Sequence, residues 1–410
     1  MTFVGKCGPR FLAMPLLILL AVFFSGCETL GLDTEKVQVS PSAVHRAPVK
    51  KSSAKDEKVT PVSAAFDPSG RLWRVTIDDS RVYVDSSADR GVTFTERVVL
   101  NPTGQKVRAN SEDRPGIAVS GEKIYVTWAA DASQPWTVYF AYSADGGLTF
   151  SPPTQVSDQA ATSRNYLGMP LLDAKGVAHF FWHDERDKNG KENGGSLFHA
   201  AQEQPEPVTP EAHRIMRATC ECCRIAAALD RDGTPVLFTR FVYPIAERDH
   251  GLMRMTSDGK GWSSWRVTDD NWELKACPEH GPALSIGPDG RYHVAWFTQG
   301  KTRQGLFYAW SDDAGKRFSR FMPFGNAKAL AGHPAVLSLG SRVALAWQEF
   351  DGKKTRVRVM HSYDGGERWS APMLAGEANG KADYPFLLGD GQHIYLSWNS
   401  PAGYSLTVLN

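Results

Sequence analysis

The chain has 410 residues, with 46 basic and 45 acidic side chains and a formal net charge of +1. That balance leaves no basic surface to track a phosphate backbone, which excludes nucleic-acid binding of the electrostatic kind. With 42% hydrophobic and 11% aromatic residues there is ample material for a large β fold, and an alternating apolar pattern dominates, with no long amphipathic helix.

At the N-terminus, Lys6 and Arg10 precede an apolar run from Phe11 to Phe24 that ends in Ser25-Gly26-Cys27. The run is too short to span a bilayer comfortably. The segment resembles a bacterial lipoprotein signal, which implies removal of residues 1–26 and lipidation of Cys27. An uncleaved anchor helix is the ordinary alternative. Either version implies a cell-envelope protein on the export side, with membrane lipid as a partner. Glu28 after the cysteine, by analogy with enteric lipoproteins, favours the outer membrane facing the periplasm over the inner membrane. Residues 27–60, rich in Lys, Ser, Pro and Asp, read as a tether, with Lys36–Ser40 as a possible closing strand.

From residue 61 onward the chain repeats one plan. Pairs of apolar runs split by a Gly-bearing turn recur at Ser63 to Trp73, Gly116 to Trp128, Met169 to Trp182, Ile225 to Phe238, Pro282 to Trp296, Pro334 to Trp347 and Pro385 to Trp398. After most pairs comes a sentence of the form S-x-D-x-G-x-x-[FW], starting at Ser87, Ser143, Ser311 and Ser362, with a damaged copy at Thr256. Ser and Asp side chains can bond the turn backbone, Gly supplies a conformation that a Cβ disfavours, and the aromatic starts the next strand. A period in the fifties with four strands per unit predicts an all-β propeller of four-stranded antiparallel blades. Seven pairs predict seven blades; six would follow if the first or last unit were an extension. One copy has eroded near His199. The last pair is followed by only one more strand, Tyr404 to Val408, so the missing outer strand is most simply supplied from upstream.

These sentences resemble the Asp-box, or BNR, repeat of sialidases and related propellers, over residues 61–410. A narrower resemblance rests on Cys220-Glu-Cys222-Cys223-Arg224 together with Cys277-Pro-Glu-His-Gly281-Pro282, which is similar to a bacterial group of exported sialidase-like proteins. The first resemblance implies boxes at the turn between the third and fourth strands, opposite the functional face. It also implies, for a sialidase, three arginines on a substrate carboxylate, a Tyr nucleophile with a Glu, and an Asp acid/base. The early F/Y-R-I-P motif of sialidases has no counterpart here.

The opposite face is formed by loops entering each inner strand and loops joining the second strand to the third. They carry Glu112-Asp113-Arg114, Tyr166, Cys220 to Arg224, Cys277 to His280, His333, Asp383-Tyr384, His183 and Glu247-Arg248-Asp249-His250. Any one of them can also be an ordinary solvated loop residue. Arg114, Arg224, Arg240 and Arg248 suit a carboxylate, whose two oxygens match the guanidinium fork. Arg240 falls near the end of a second strand, where five sister blades have tryptophan, and a salt bridge to Glu247 or Asp249 is its structural explanation. Tyr384 or Tyr166 is the candidate nucleophile, with Asp249 or Asp113 as acid/base and Glu247 as a further carboxylate; His280 is a candidate ligand-binding residue.

In an oxidising envelope Cys220, Cys222, Cys223 and Cys277 would form disulfides, in one of three pairings, with Cys277 joined to one of the triplet. The alternative is a copper or zinc site of the four thiols, in place of a protein without cofactor. The sequence thus predicts an envelope-anchored propeller that binds an anionic glycan or an envelope protein at the mouth opposite the boxes. An exo-α-sialidase with diverged residues and a metal protein are the alternatives.

Overall fold

A computed structural model describes residues 59–101, 105–131, 135–158, 163–188 and 194–409. The expected signal, Cys27 and the strand at 36–40 lie outside these residues. Among the described residues no helix is long and apolar enough to cross a membrane.

The described chain forms seven antiparallel sheets. Blade 1 runs Ser63–Phe66, Leu72–Asp78, Arg81–Ser87 and Val98–Val99, from inner to outer strand. Blade 2 follows with Gly116–Ser120, Lys123–Asp131, Thr137–Ser143 and Thr154–Gln155, and the short Lys106–Val107 also pairs with its second strand. Blade 3 is Asn165–Leu172, Ala178–Asp184, Gly195–Gln202 and His213–Thr219; blade 4 is Ala226–Leu229, Pro235–Arg240, His250–Met255 and Trp262–Arg266. Blade 5 is Ala283–Ile286, Tyr292–Gln299, Gln304–Ser311 and Met322–Phe324; blade 6 is Gly332–Leu339, Arg342–Phe350, Lys354–Ser362 and Met373–Asn379. Blade 7 has three described strands, Phe386–Gly389, Ile394–Ser400 and Gly403–Leu409.

Inner strands touch in chain order, and the last returns to the first, so the fold is a closed seven-bladed propeller. Second strands are buried on both faces because each blade is sandwiched by two others. Trp128, Trp182, Trp296 and Trp347 are accordingly among the largest fully buried side chains. The ring closes through polar bonds of long sequence separation. Val62 N–H donates to Asp383 Oδ2 at 3.1 Å, and Asn399 Nδ2 donates to the Thr60 carbonyl at 2.8 Å.

Each box is a self-contained turn. The serine hydroxyl donates to the aspartate (2.7 Å for Ser87 to Asp89) and accepts the glycine amide (2.7 Å from Gly91). The same bonds recur at Ser143, Ser311 and Ser362, and Thr256 with Asp258 and Gly261 rebuilds most of them in the damaged copy. The glycine does a second job at the blade interface. Gly147 abuts Trp73 of blade 1, Gly315 abuts Leu252 of blade 4 and Gly366 abuts Tyr308 of blade 5, all so closely that a methyl group would overlap. All boxes close the turn after a third strand, so they share one end of the ring, and the strands' alternation puts the entering loops at the other.

Candidate functional site

The seven inner strands enclose a channel cavity of about 280 Å³, lined mainly by aliphatic residues such as Ile117, Met169, Ile225, Leu284, Val336 and Leu387, with Glu112, Arg114 and Arg224 as its charged lining. Arg114, on the loop entering blade 2, donates to the Val62 carbonyl at 2.8 Å and pairs with Asp383 of blade 7. Arg224, entering blade 4, pairs with Glu112 at 3.1 Å and donates to the Pro334 carbonyl at 3.1 Å. Both guanidiniums lie over the ring of Phe386, at 4.1 and 5.2 Å from its centroid. Five blades, 1, 2, 4, 6 and 7, therefore converge here.

Glu112 is the pivot. Its second oxygen accepts the Gly281 amide at 2.5 Å, and a side chain at Gly281 would overlap Arg224. This explains why the two cysteine-bearing segments occur together: the glycine of one makes room for the arginine of the other. Burial pushes the Glu112 carboxyl up to about 7, aided by the charge of Cys223 and opposed by Arg224 and the Gly281 amide.

Beside the channel a column of rings stands across blades 5 to 7. Phe297 stacks on His280 at 4.1 Å, His280 on His333 at 4.3 Å, and His333 on Tyr384 at 3.4 Å between centroids. Glu279 and His333 both hold left-handed backbone, with φ of 52° and 53°, an unfavourable conformation for residues with a Cβ. On the far side of the column lies a second cavity of about 640 Å³, lined by His280, His333, Gln299, Gln304, Gln348 and Phe350 among others. His280 Nδ1, His333 Nδ1 and Gln348 Oε1 are buried there without a hydrogen-bond partner among the described residues. His333 lines this cavity and its neighbour Pro334 lines the channel, so the two spaces adjoin.

The predicted arginines separate into two pairs. Arg114 and Arg224 serve the channel mouth, whereas Arg240 and Arg248 serve the cysteines. Arg240 is fully buried and, among the described residues, donates to the backbone carbonyls of Arg248 (2.9 Å), His280 (3.1 Å) and Phe297 (2.8 Å). The expected salt bridge to Glu247 or Asp249 does not form, because Arg266 of the outer strand pairs with both acids. The tryptophan comparison also needs correction. Ala226 pairs with Phe238 and Ala283 with Ala295, so Thr239 occupies the place of Trp296 and Arg240 that of Phe297. Alternation makes a one-residue offset a change of face.

Cys220, Cys222 and Cys223 gather their sulfurs within 4.8 Å of one another. No disulfide joins any of the four cysteines; Cys220 Sγ lies 3.6 Å from Cys222 Sγ and 3.5 Å from Cys223 Sγ. Cys277 is exposed and outside the cluster, so neither the disulfide expected from it nor the four-thiol set is realised. Arg248 Nη1 donates to Cys220 Sγ at 2.9 Å. Burial opposes ionisation of Cys223, yet the thiols of Cys220 and Cys222, the Arg240 charge and the His280 amide bring it well below the usual thiol range.

The catalytic candidates are not brought together. The carboxylates acting on Tyr384 are Glu112 and Glu279, and burial together with Glu112 raises its phenol. Asp249 and Glu247 are instead held by Arg266; burial lifts Asp249 to about 6, with the Asn271 amide opposing and Asp270 assisting. Tyr166 donates to Glu185 at 2.9 Å, and Asp113 pairs with Arg108 at 2.5 Å and accepts the Leu167 amide at 3.0 Å. Asp113 thereby ties the loop entering blade 2 to blade 3, whereas Tyr166 and Glu185 belong to the same blade. The roles of Glu112, Asp383, Phe386 and Gly281 were hidden from the sequence. The one available signal was that Glu112, Gly281 and Phe386 each lie at or just before an inner strand.

Comparison with known proteins follows the fold. No family model and no curated protein matches the chain. Among solved structures, the Hadza microbial sialidase Hz136 is similar at 13% identity, covering 83% of this chain and 73% of that one, with a TM-score of 0.51. A polysaccharide lyase acting on ulvan covers 85% and 93% at 8% identity and TM-score 0.51. An α-L-arabinanase from Penicillium chrysogenum, complexed with arabinobiose, covers 75% and 94% at 13% identity and TM-score 0.51. The fold is thus the sialidase-like propeller, which the lyase and the arabinanase also share.

Proposed function

We propose that this protein is a carbohydrate-active propeller that binds an acidic saccharide at the mouth opposite the boxes. The observation that carries the reading is the convergence of Arg114 and Arg224 over Phe386 at one end of the channel. The cavity, close to the ~300 Å³ at which ligand sites begin, has room for about one sugar ring. In this reading the ligand carboxylate meets Arg224 while Glu112, poised about 7, takes up a proton and ceases to compete for the guanidinium. Neutral rings of a longer saccharide extend past the His333–Tyr384 stack into the cavity lined by glutamines and His280.

Binding is favoured over hydrolysis by the state of Tyr384. Its ring stacks on His333 at 3.4 Å between centroids and burial holds its phenol protonated, which suits a stacking platform better than a nucleophile. Calorimetric titration of the full-length chain with sialosides and uronic-acid oligosaccharides tests the proposal. Affinity should fall about 10- to 100-fold in Arg224→Met, the worth of a charge-assisted hydrogen bond. A flat titration across the panel would reject it, and release of free sugar would replace binding by the sialidase alternative. We infer further that the propeller is tethered to the bacterial envelope through Cys27; mass spectrometry of the mature N-terminus checks this, and an unmodified Met1 would refute it.

A further inference from the structure

We propose that Cys220, Cys222 and Cys223 form a three-sulfur site for copper(I). The first argument is spacing. A metal–sulfur bond of about 2.3 Å, with the ion centred in a triangle of sulfurs, needs sulfur–sulfur edges of about 4 Å. The triangle here has edges of 3.6 and 3.5 Å at Cys220, and all three sulfurs lie within 4.8 Å of one another. The turn from Cys220 to Cys223 is fixed by the Cys223 amide on the Cys220 carbonyl at 3.1 Å and by the Cys220 amide on the Arg240 carbonyl at 2.8 Å. The triangle therefore exists before the ion arrives.

The second argument is charge. Arg240 and Arg248 sit at the cluster, and among the described residues neither makes an ion pair with a carboxylate; Arg240 bonds carbonyls, and Arg248 bonds the Leu274 carbonyl and the Cys220 sulfur. The acid next in sequence, Glu221, pairs with Lys188 at 3.1 Å, which it shares with Glu185 at 3.2 Å, and its charge also reaches Arg248. Buried positive charge at the cluster therefore favours thiolates over thiols. When a monovalent ion binds the three cysteines, the S–H protons they still hold leave to solvent and three metal–sulfur bonds form. One positive charge among three thiolates leaves two negative charges beside the two guanidiniums. A divalent ion on the same sulfurs would leave only one.

The third argument is ligand number and softness. Thiolates select copper(I) and zinc, and structural zinc takes four ligands. Among the described residues the compact donor group contains three sulfurs and no fourth ligand. Cys277, the residue that would complete a four-sulfur zinc set, is exposed elsewhere on its loop. Cys222 is only partly buried, which gives the ion a way in past the two buried sulfurs.

The test is anaerobic titration of the reduced full-length chain with copper(I) against a chromophoric copper(I) chelator. The expected result is one ion per chain, with X-ray absorption showing three sulfur neighbours. Cys222→Ser should weaken retention at least about 100-fold while circular dichroism stays unchanged, since Cys222 reaches the surface. Arg248→Gln, which removes a neighbouring charge and not a ligand, should weaken it about 10-fold with the same absorption signature. Cys277→Ser should change nothing. Loss of all copper to the chelator, retention indifferent to Cys222→Ser, or preference for zinc(II) over copper(I) would each overturn the proposal.

Discussion

The two ends of the ring treat the same chemical group in opposite ways. At the box end, Asp89 and Asp145 accept hydroxyl and amide protons from Thr93 and Thr149 within their own turns, which holds both carboxyls down at about 2. At the mouth, burial lifts Glu112 to about 7 and Asp113 to about 6. The first arrangement is local and serves the turn. The second brings blades together and holds polar groups where water is scarce, so that small changes in charge are felt strongly. Structure is concentrated at one end and adjustable chemistry at the other.

The sharpest way to break this contrast is at a box glycine. Gly366 has φ of 92° and abuts the Tyr308 hydroxyl. Gly366→Ala should therefore cost about 3 kcal/mol or more from overpacking plus backbone strain. Gly121→Ala, at φ of 57° with open space around it, should cost only about 1 kcal/mol. Chemical denaturation compares the two, and equal costs would show that the box does not pack the blade interface.

Next in size is the pH response of Glu112. Its folded value is raised, so its contribution is fully present below the ordinary glutamate value near 4.5 and is lost as pH rises through about 7. The stability of Glu112→Gln relative to the parent should therefore rise between pH 5 and pH 8, by on the order of 3 kcal/mol. Measuring the difference cancels any constant cost of the amide. A difference that does not vary with pH would mean that Glu112 is an ordinary carboxylate.

Much of the fold could be read in advance because it is written locally. Each box needs only residues within a few positions, and each apolar pair is joined by a short turn, so both counting and polarity survive without coordinates. The site is another matter. Glu112 meets Gly281 and Arg114 meets Asp383 across 169 and 269 residues of chain, and nothing in a single sequence marks such partners. Arg240 shows a different failure: it looked like a replacement for tryptophan, but strand register puts Thr239 there. Cys277 shows a third. Adjacent entering loops bring segments close, but they do not set which way a side chain points.

Two smaller effects sharpen the comparison further. Acidic-saccharide affinity should rise roughly tenfold from pH 8 to pH 6, because protonated Glu112 no longer competes for Arg224; calorimetry at the two pH values reads this, and weaker binding at pH 6 would contradict it. Asp145→Asn, which keeps the turn's shape but not its charge, should cost about 1 kcal/mol in denaturation and leave binding unchanged.

The most direct measurement is amide hydrogen exchange of the full-length chain with and without an acidic saccharide at saturating concentration. Protection should appear at residues 110–116, 220–226, 279–284 and 383–388, with the turns at Asp89, Asp145, Asp313 and Asp364 unchanged. Protection at those turns, with the entering loops unaffected, would contradict the assignment of ligand chemistry to the channel mouth.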